Sequence, residues 1–267
     1  MMISWKKVLM GGAALALLAG GSPAIAADDM PADHGAPEGH ATTAAAENNA
    51  KAMHAPAKDA LRLAESETCV DGTLQSPINI AEYMREDLPK LKIAYAPTSL
   101  HVVNSGEGIG VVYDPGSKFM SADKIYDLMQ FNFEAPSENY VNGAPYAMEM
   151  QLMHQAEAGE IAVLSVMMKL GAANPAIQTI WENIPEAGGR TDREDITLDM
   201  AELLPESGEY YTFTGSLTAP PCAEGVKWHV LKEPIEISLE QLNAFHAVYG
   251  GSPRPVQPLN GRVVKGN

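Results

Sequence analysis

Much of the chain's apolar patterning has the two-residue period of strands. Gln130-Phe131-Asn132-Phe133-Glu134 alternates polar and aromatic residues, which predicts a strand with three polar side chains on one face and two rings on the other. Glu149-Met150-Gln151-Leu152-Met153 repeats the alternation, and Ile161 to Leu170 is a near-continuous apolar run, as expected of a strand buried on both faces. Helices are fewer. Asn174-Pro175 supplies a cap and a first turn ahead of Ile177, Ile180, Trp181 and Ile184, and Ser238 with Gln241 makes a capping box ahead of Leu242, Phe245 and Val248. The pattern predicts an α/β chain, mainly β, with peripheral helices.

The N-terminus reads differently. Lys6 and Lys7 precede an apolar run from Val8 to Leu18 that is too short for a membrane span, and Ala24-Ile25-Ala26 follows as a small-residue cleavage site. Residues 1–26 therefore read as a secretory signal, with a periplasmic or secreted mature chain beginning near Ala27 and no membrane span within it. From 27 to 58 the composition of Ala, Asp, Glu, Pro, Gly, His and Asn offers too little branched apolar surface to order itself, and predicts a disordered tether. Met30, His34, His40, Met53 and His54 in that tether are ligand types that copper accepts, although they form no tight ligand repeat. Residues 59–267 are enough for one domain with a large core. Removing Lys6 and Lys7 with the signal takes the formal charge from −16 to −18, which argues against nucleic acid or an anionic lipid surface as partner.

The domain holds two cysteines, Cys69 and Cys222. In an oxidising compartment they are expected to form one long-range disulfide, the alternative being two free thiols.

Three blocks carry a resemblance to a known family. Gln75-Ser76-Pro77-Ile78-Asn79-Ile80, then Gly215-Ser216-Leu217-Thr218 with Pro220-Pro221-Cys222, then Arg254-Pro255-Val256-Gln257-Pro258-Leu259-Asn260 occur in the order and spacing of the alpha-class carbonic anhydrases. The chain resembles that family from Cys69 to Val264. The resemblance implies a central, twisted, mostly antiparallel ten-stranded sheet with an active-site cone on one face, and a Cys69–Cys222 bond as in bacterial members.

The family's zinc is held by three neutral imidazoles, with a fourth position for a water whose pKa falls to about 7. By the resemblance, the ligand positions fall here on Asn132, Glu134 and Gln151. None is histidine, and amide oxygens are poor zinc donors, so zinc is not expected. Two arrangements stay open: Asn132 and Gln151 donate their amide hydrogens to Glu134 in a satisfied polar cluster, or the same oxygens form a weak site for a hard cation such as calcium or manganese. Glu138 and Thr218 match the family's pair that orients the zinc-bound hydroxide. Gln130, Met153, Val163, Leu217, Val226 and Trp228 complete the implied pocket. Glu107 stands where a proton-shuttling histidine is usual, and a carboxylate of pKa near 4.3 shuttles poorly at neutral pH. Ala219 and Asn139 replace further polar residues of the family's site. His154 matches a core histidine that binds no metal.

No Ser/His/Asp spacing, phosphate loop or Cys-X-X-Cys points to another enzyme class. The expectation is a non-catalytic binding protein whose small ligand or protein partner the sequence does not name. The alternative is a carbonate dehydratase, or another lyase or hydrolase, running on an oxygen-ligated metal.

Overall fold

The computed structural model describes residues 67–251 and 253–267. The expected signal, the tether with its Met and His residues, and the first residues of the domain lie outside the described residues. Ten strands follow one another across the main sheet. In chain order they are β1 (Met84–Arg85), β2 (Thr98–Asn104), β3 (Ile109–Val112), β4 (Lys124–Glu134) and β5 (Met148–Gln155), then β6 (Ile161–Leu170), β7 (Gly189–Leu198), β8 (Tyr210–Ser216), β9 (Glu224–Leu231) and β10 (Lys265–Gly266). Across the sheet they run β7-β2-β3-β4-β5-β6-β9-β8-β10-β1. Along this path the pairs β6–β9 and β10–β1 are parallel and the others antiparallel.

Among the described residues the sheet has thirteen strands, more than the expected ten. The additional three, Lys92–Ala94, Lys118–Ser121 and Ile235–Ile237, branch off the path against one another, β4 and β6. They are three or four residues long, too short to show a period in the sequence. A separate three-stranded sheet joins Asn79–Ile80, Tyr140–Val141 and Ala144–Pro145.

Alternation along the strands sorts the side chains into two cores. Phe131 and Phe133 of β4 and Leu164 and Val166 of β6 join one apolar cluster, covered by helices α2 (Pro175–Trp181) and α3 (Leu239–Val248). A short helix α1 (Glu67–Asp71) precedes the sheet. Asn174 caps α2 by accepting from the N–H groups of Ala176 and Ile177, and both halves of the Ser238/Gln241 capping box form at α3. The Trp181 ring meets Phe133 edge-on at 4.7 Å and donates its N–H to the Gln241 carbonyl at 2.9 Å, locking both helices to the aromatic face. The opposite face carries Met153, Val163, Met167, Val226 and Trp228 in a second cluster. It is this face that surrounds the polar residues of β4 and β5.

Two histidines lie in the interior with Phe119 between them, its ring 4.9 Å from that of His154 and 5.2 Å from that of His229. His154 Nε2 meets the Tyr95 hydroxyl and His229 Nε2 the Ser121 hydroxyl, each at 2.7 Å. Burial pushes both imidazole pKa values down to about 3. The folded pKa lies below the unfolded value near 6.5, so each histidine contributes stability that is fully present above pH 6.5. That stability is lost as pH falls from there toward 3, at ~1.4 kcal/mol per pH unit per histidine. The variant His229→Gln is expected to lose about 3 kcal/mol less than the unaltered protein between pH 7 and pH 4.5, read from urea midpoints at the two pH values. An identical drop in both proteins would show that His229 is protonated in the fold.

Candidate functional site

In the β4–β5 pairing Asn132 lies directly opposite Gln151, and Glu134 directly opposite Glu149. Residues opposite one another across an antiparallel pair share a face, and so do residues two apart along a strand. Gln130, Asn132 and Glu134 from β4 and Glu149, Gln151 and Met153 from β5 therefore form one patch. On the far side of β5, Ser165 of β6 stands opposite Gln151 and Val163 opposite Met153.

The three carboxyl groups of this patch and its edge are not equally provided for. Glu149, fully buried, accepts from the Glu138 N–H at 2.9 Å, the Asn139 N–H at 3.0 Å, the Asn139 side-chain amide at 2.9 Å and the Ser165 hydroxyl at 2.6 Å. Glu138 accepts from the Gln151 side-chain amide at 3.0 Å, from the Arg254 N–H at 3.1 Å and from the Thr218 hydroxyl. Glu134 receives a long bond of 3.3 Å from the Asn132 amide. Burial pushes all three carboxyl pKa values up, and hydrogen bonds hold those of Glu138 and Glu149 back. Glu134 rises furthest, because after burial the charges of Glu138 and Glu149 act on it and one hydrogen bond opposes them.

The expectation that both amides serve Glu134 is corrected by this geometry: Asn132 does so, whereas Gln151 turns to Glu138. Glu138 is fixed by the backbone of Arg254 and by Thr218, so it presents a positioned acceptor to the Gln151 amide. With their amide hydrogens directed at carboxylates, the side-chain oxygens Asn132 Oδ1 and Gln151 Oε1 are buried without a hydrogen-bond partner, as is the Gln130 amide nitrogen. Asn132 is 2 % exposed and Gln151 0 %.

Val163, Leu217, Val226 and Trp228 are buried in the apolar cluster on this side of the sheet, with Met153 among them. Trp228 stacks on Phe213 and donates its N–H to the Ser216 carbonyl at 3.0 Å, which holds the strand end that leads to Leu217 and Thr218. Glu107 sits in the turn between β2 and β3, where its N–H donates to Ser105 Oγ at 3.3 Å. His154 lies away from the patch, in the other cluster's aromatic surroundings.

Residues that sequence reasoning did not single out hold the site in place. Glu149 is the anchor of the loop bearing Glu138 and Asn139; its place two residues before Gln151, on the same face, was the available signal. Arg254 ties the first and third sequence blocks together. Its guanidinium donates to Gln75 Oε1 at 2.9 Å, the Ser76 carbonyl at 2.7 Å and the Cys69 carbonyl at 2.8 Å, while its backbone N–H reaches Glu138. Ser76 and Ser216 exchange bonds, each backbone N–H donating to the other's hydroxyl. The Cys69–Cys222 disulfide forms, with a sequence separation of 153 residues, and closes this junction. Among the described residues no helix is long and apolar enough to cross a membrane.

A carbonic anhydrase from Klebsiella pneumoniae is 42 % identical over 207 residues, covering 75 % of this chain and 82 % of that protein. The structure of the Photobacterium profundum alpha-carbonic anhydrase superposes with a TM-score of 0.74 at 36 % identity, covering 76 % of this chain and 94 % of the other. Dioscorin complexed with ascorbate superposes at a TM-score of 0.69 and 28 % identity, over 76 % of this chain and 89 % of the other. The family model for eukaryotic-type carbonic anhydrases matches residues 63–267, and with the sheet, the blocks and these relatives in agreement, the chain belongs to the carbonic anhydrase family.

Proposed function

We propose that this chain keeps the carbonic anhydrase scaffold without the family's zinc chemistry and acts as an exported binding protein. The observation that carries the reading is the donor set on the shared face of β4 and β5. Zinc in a hydratase is held by nitrogen or sulfur donors that leave one position open for water. Here the β4–β5 face offers two neutral amide oxygens and one partly buried carboxyl, and among the described residues no group of three or more His, Cys, Asp or Glu could hold a metal ion. These residues do not fit zinc. Without it, Glu138 and Thr218 make a satisfied buried pair rather than a device for orienting a hydroxide.

Binding is supported by dioscorin, a similar structure that holds ascorbate. Export is supported by the sequence of residues 1–26 and by a disulfide of the kind that persists in oxidising compartments. Copper capture by the Met and His residues of the tether is a separate proposal, resting on ligand type alone. The competing reading, a carbonate dehydratase on an oxygen-ligated metal, is favoured by relatives that are named carbonic anhydrases.

Stopped-flow hydration of carbon dioxide by the mature chain separates the two readings. The expected rate is the buffer background, with or without added zinc, calcium or manganese. Hydration that scales with protein concentration would replace the binding reading by the enzymatic one.

A further inference from the structure

Three polar atoms on the shared face of β4 and β5 lack a hydrogen-bond partner. They are the oxygens Asn132 Oδ1 and Gln151 Oε1 and the amide nitrogen Gln130 Nε2, all on residues that are almost wholly buried. Asn132 lies directly opposite Gln151, and Gln130 stands two residues along β4 on the same face, opposite Met153. Positions opposite one another are about 5 Å apart and positions two apart on a strand about 7 Å, so one small group spans the three side chains. Their polarity is fixed by their neighbours. The Asn132 amide donates to Glu134 at 3.3 Å and the Gln151 amide to Glu138 at 3.0 Å, so turning either nitrogen into the patch would give up a bond to a carboxyl group.

We propose that this patch binds one end of a neutral vicinal diol, a ligand class left unnamed by the binding function on which this inference rests. Two acceptors and one donor must be met together. An ammonium group donates to the oxygens but leaves Gln130 Nε2 unmet, and a carboxylate serves Gln130 while setting its own oxygens against two others. A hydroxyl both donates and accepts. Two hydroxyls on adjacent carbons give one hydrogen to Asn132 Oδ1 and one to Gln151 Oε1, while an oxygen of the pair accepts from Gln130. The carbons distinguish a diol from water. Met153 stands opposite Gln130 and Val163 opposite Met153, both in the apolar cluster on this face, and they offer the carbons a surface that water does not use. Glu134, two residues beyond Asn132, is partly exposed, as is Thr218, whose hydroxyl donates to the same Glu138 carboxyl as Gln151. The patch meets solvent on that side, and the remainder of the ligand extends there. Because the three unpartnered atoms are themselves shielded, the end that reaches them is slim.

Ethylene glycol is the probe. Titrated into the isotope-labelled full mature chain, it should shift the side-chain amide resonances of Gln130, Asn132 and Gln151 along a saturating curve. Its dimethyl ether, which keeps the oxygens and has no hydrogen to donate, should not. Methylammonium chloride, a donor without an acceptor, should bind at least tenfold more weakly than the diol. Gln130→Leu and Gln151→Leu should each weaken diol binding at least tenfold, and Gln178→Ala on the exposed side of α2 should leave it unchanged, with circular dichroism establishing that each variant is folded. If a site variant does not fold, the comparison of the three probes on the unaltered chain decides alone. Shifts that never saturate, or that the dimethyl ether reproduces, overturn the diol site and leave the proposed function standing, its ligand lying elsewhere and water meeting these atoms. Tighter binding of methylammonium also overturns it, in favour of a cationic ligand. Hydration of carbon dioxide is the separate result that removes the proposed function.

Discussion

The triple variant Asn132→His, Glu134→His, Gln151→His is expected to acquire one tightly held zinc ion that the unaltered chain lacks. Positions 132 and 134 share a face of β4, and 151 stands opposite 132 on β5, so three imidazoles would converge where two amides and a carboxyl now meet. Removing Glu134 also removes the least satisfied carboxyl of the cluster. Zinc at a thousandfold excess over its dissociation constant would stabilise the folded variant by about 4 kcal/mol, visible as a zinc-dependent rise in melting temperature. Glu138 and Thr218 remain to position a hydroxide supplied by the metal. Hydration activity should therefore appear and should rise with buffer concentration, because a carboxylate at the shuttle position that the resemblance gives to Glu107 transfers protons poorly at neutral pH. A variant that folds yet melts at the same temperature with and without zinc would show that these three positions are not equivalent to the family's ligands.

Loss of the disulfide should have the largest effect on stability. Cys69 and Cys222 are separated by 153 residues, and in the chain-entropy model opening a loop of that length costs about 5 kcal/mol, an upper figure because denatured chains keep some structure. A local effect adds to it. The Cys69 carbonyl accepts from the Arg254 guanidinium, and the Arg254 N–H accompanies Gln151 and Thr218 on Glu138, so releasing Cys69 loosens the hold on Glu138. Replacing both cysteines by serine is expected to lower the urea midpoint sharply, and reduction of the unaltered chain should reproduce most of the loss. Equal midpoints for oxidised and reduced protein would show that the bridge contributes nothing to the fold.

What the sequence disclosed depended on how local the controlling interaction is. The strands β4, β5 and β6 and the starts of α2 and α3 are set by alternation and by caps within four residues, and all are visible in one dimension. The face shared by Gln130, Asn132 and Glu134 follows from the same period. The branching strands Lys92–Ala94 and Ile235–Ile237 do not, because three residues carry no pattern and their pairing is decided by partners far along the chain. Within the site, Gln151 and Glu134 were legible as neighbours, whereas the choice Gln151 makes between Glu134 and Glu138 was not. That choice depends on the Arg254 backbone, 116 residues beyond Glu138 in sequence. Glu149 escaped notice for a related reason: three of its four donors are backbone and side-chain groups of a loop ten and eleven residues away, the fourth is Ser165 on β6, and no spacing rule announces them.

Zinc content tests the central claim most directly. The mature chain should be purified without chelator from cells grown with added zinc, exchanged into metal-free buffer and weighed intact by native mass spectrometry alongside elemental analysis. The expected result is far less than one zinc per chain. One zinc per chain, surviving buffer exchange, would contradict the claim that the Asn132, Glu134 and Gln151 donor set excludes the family's metal.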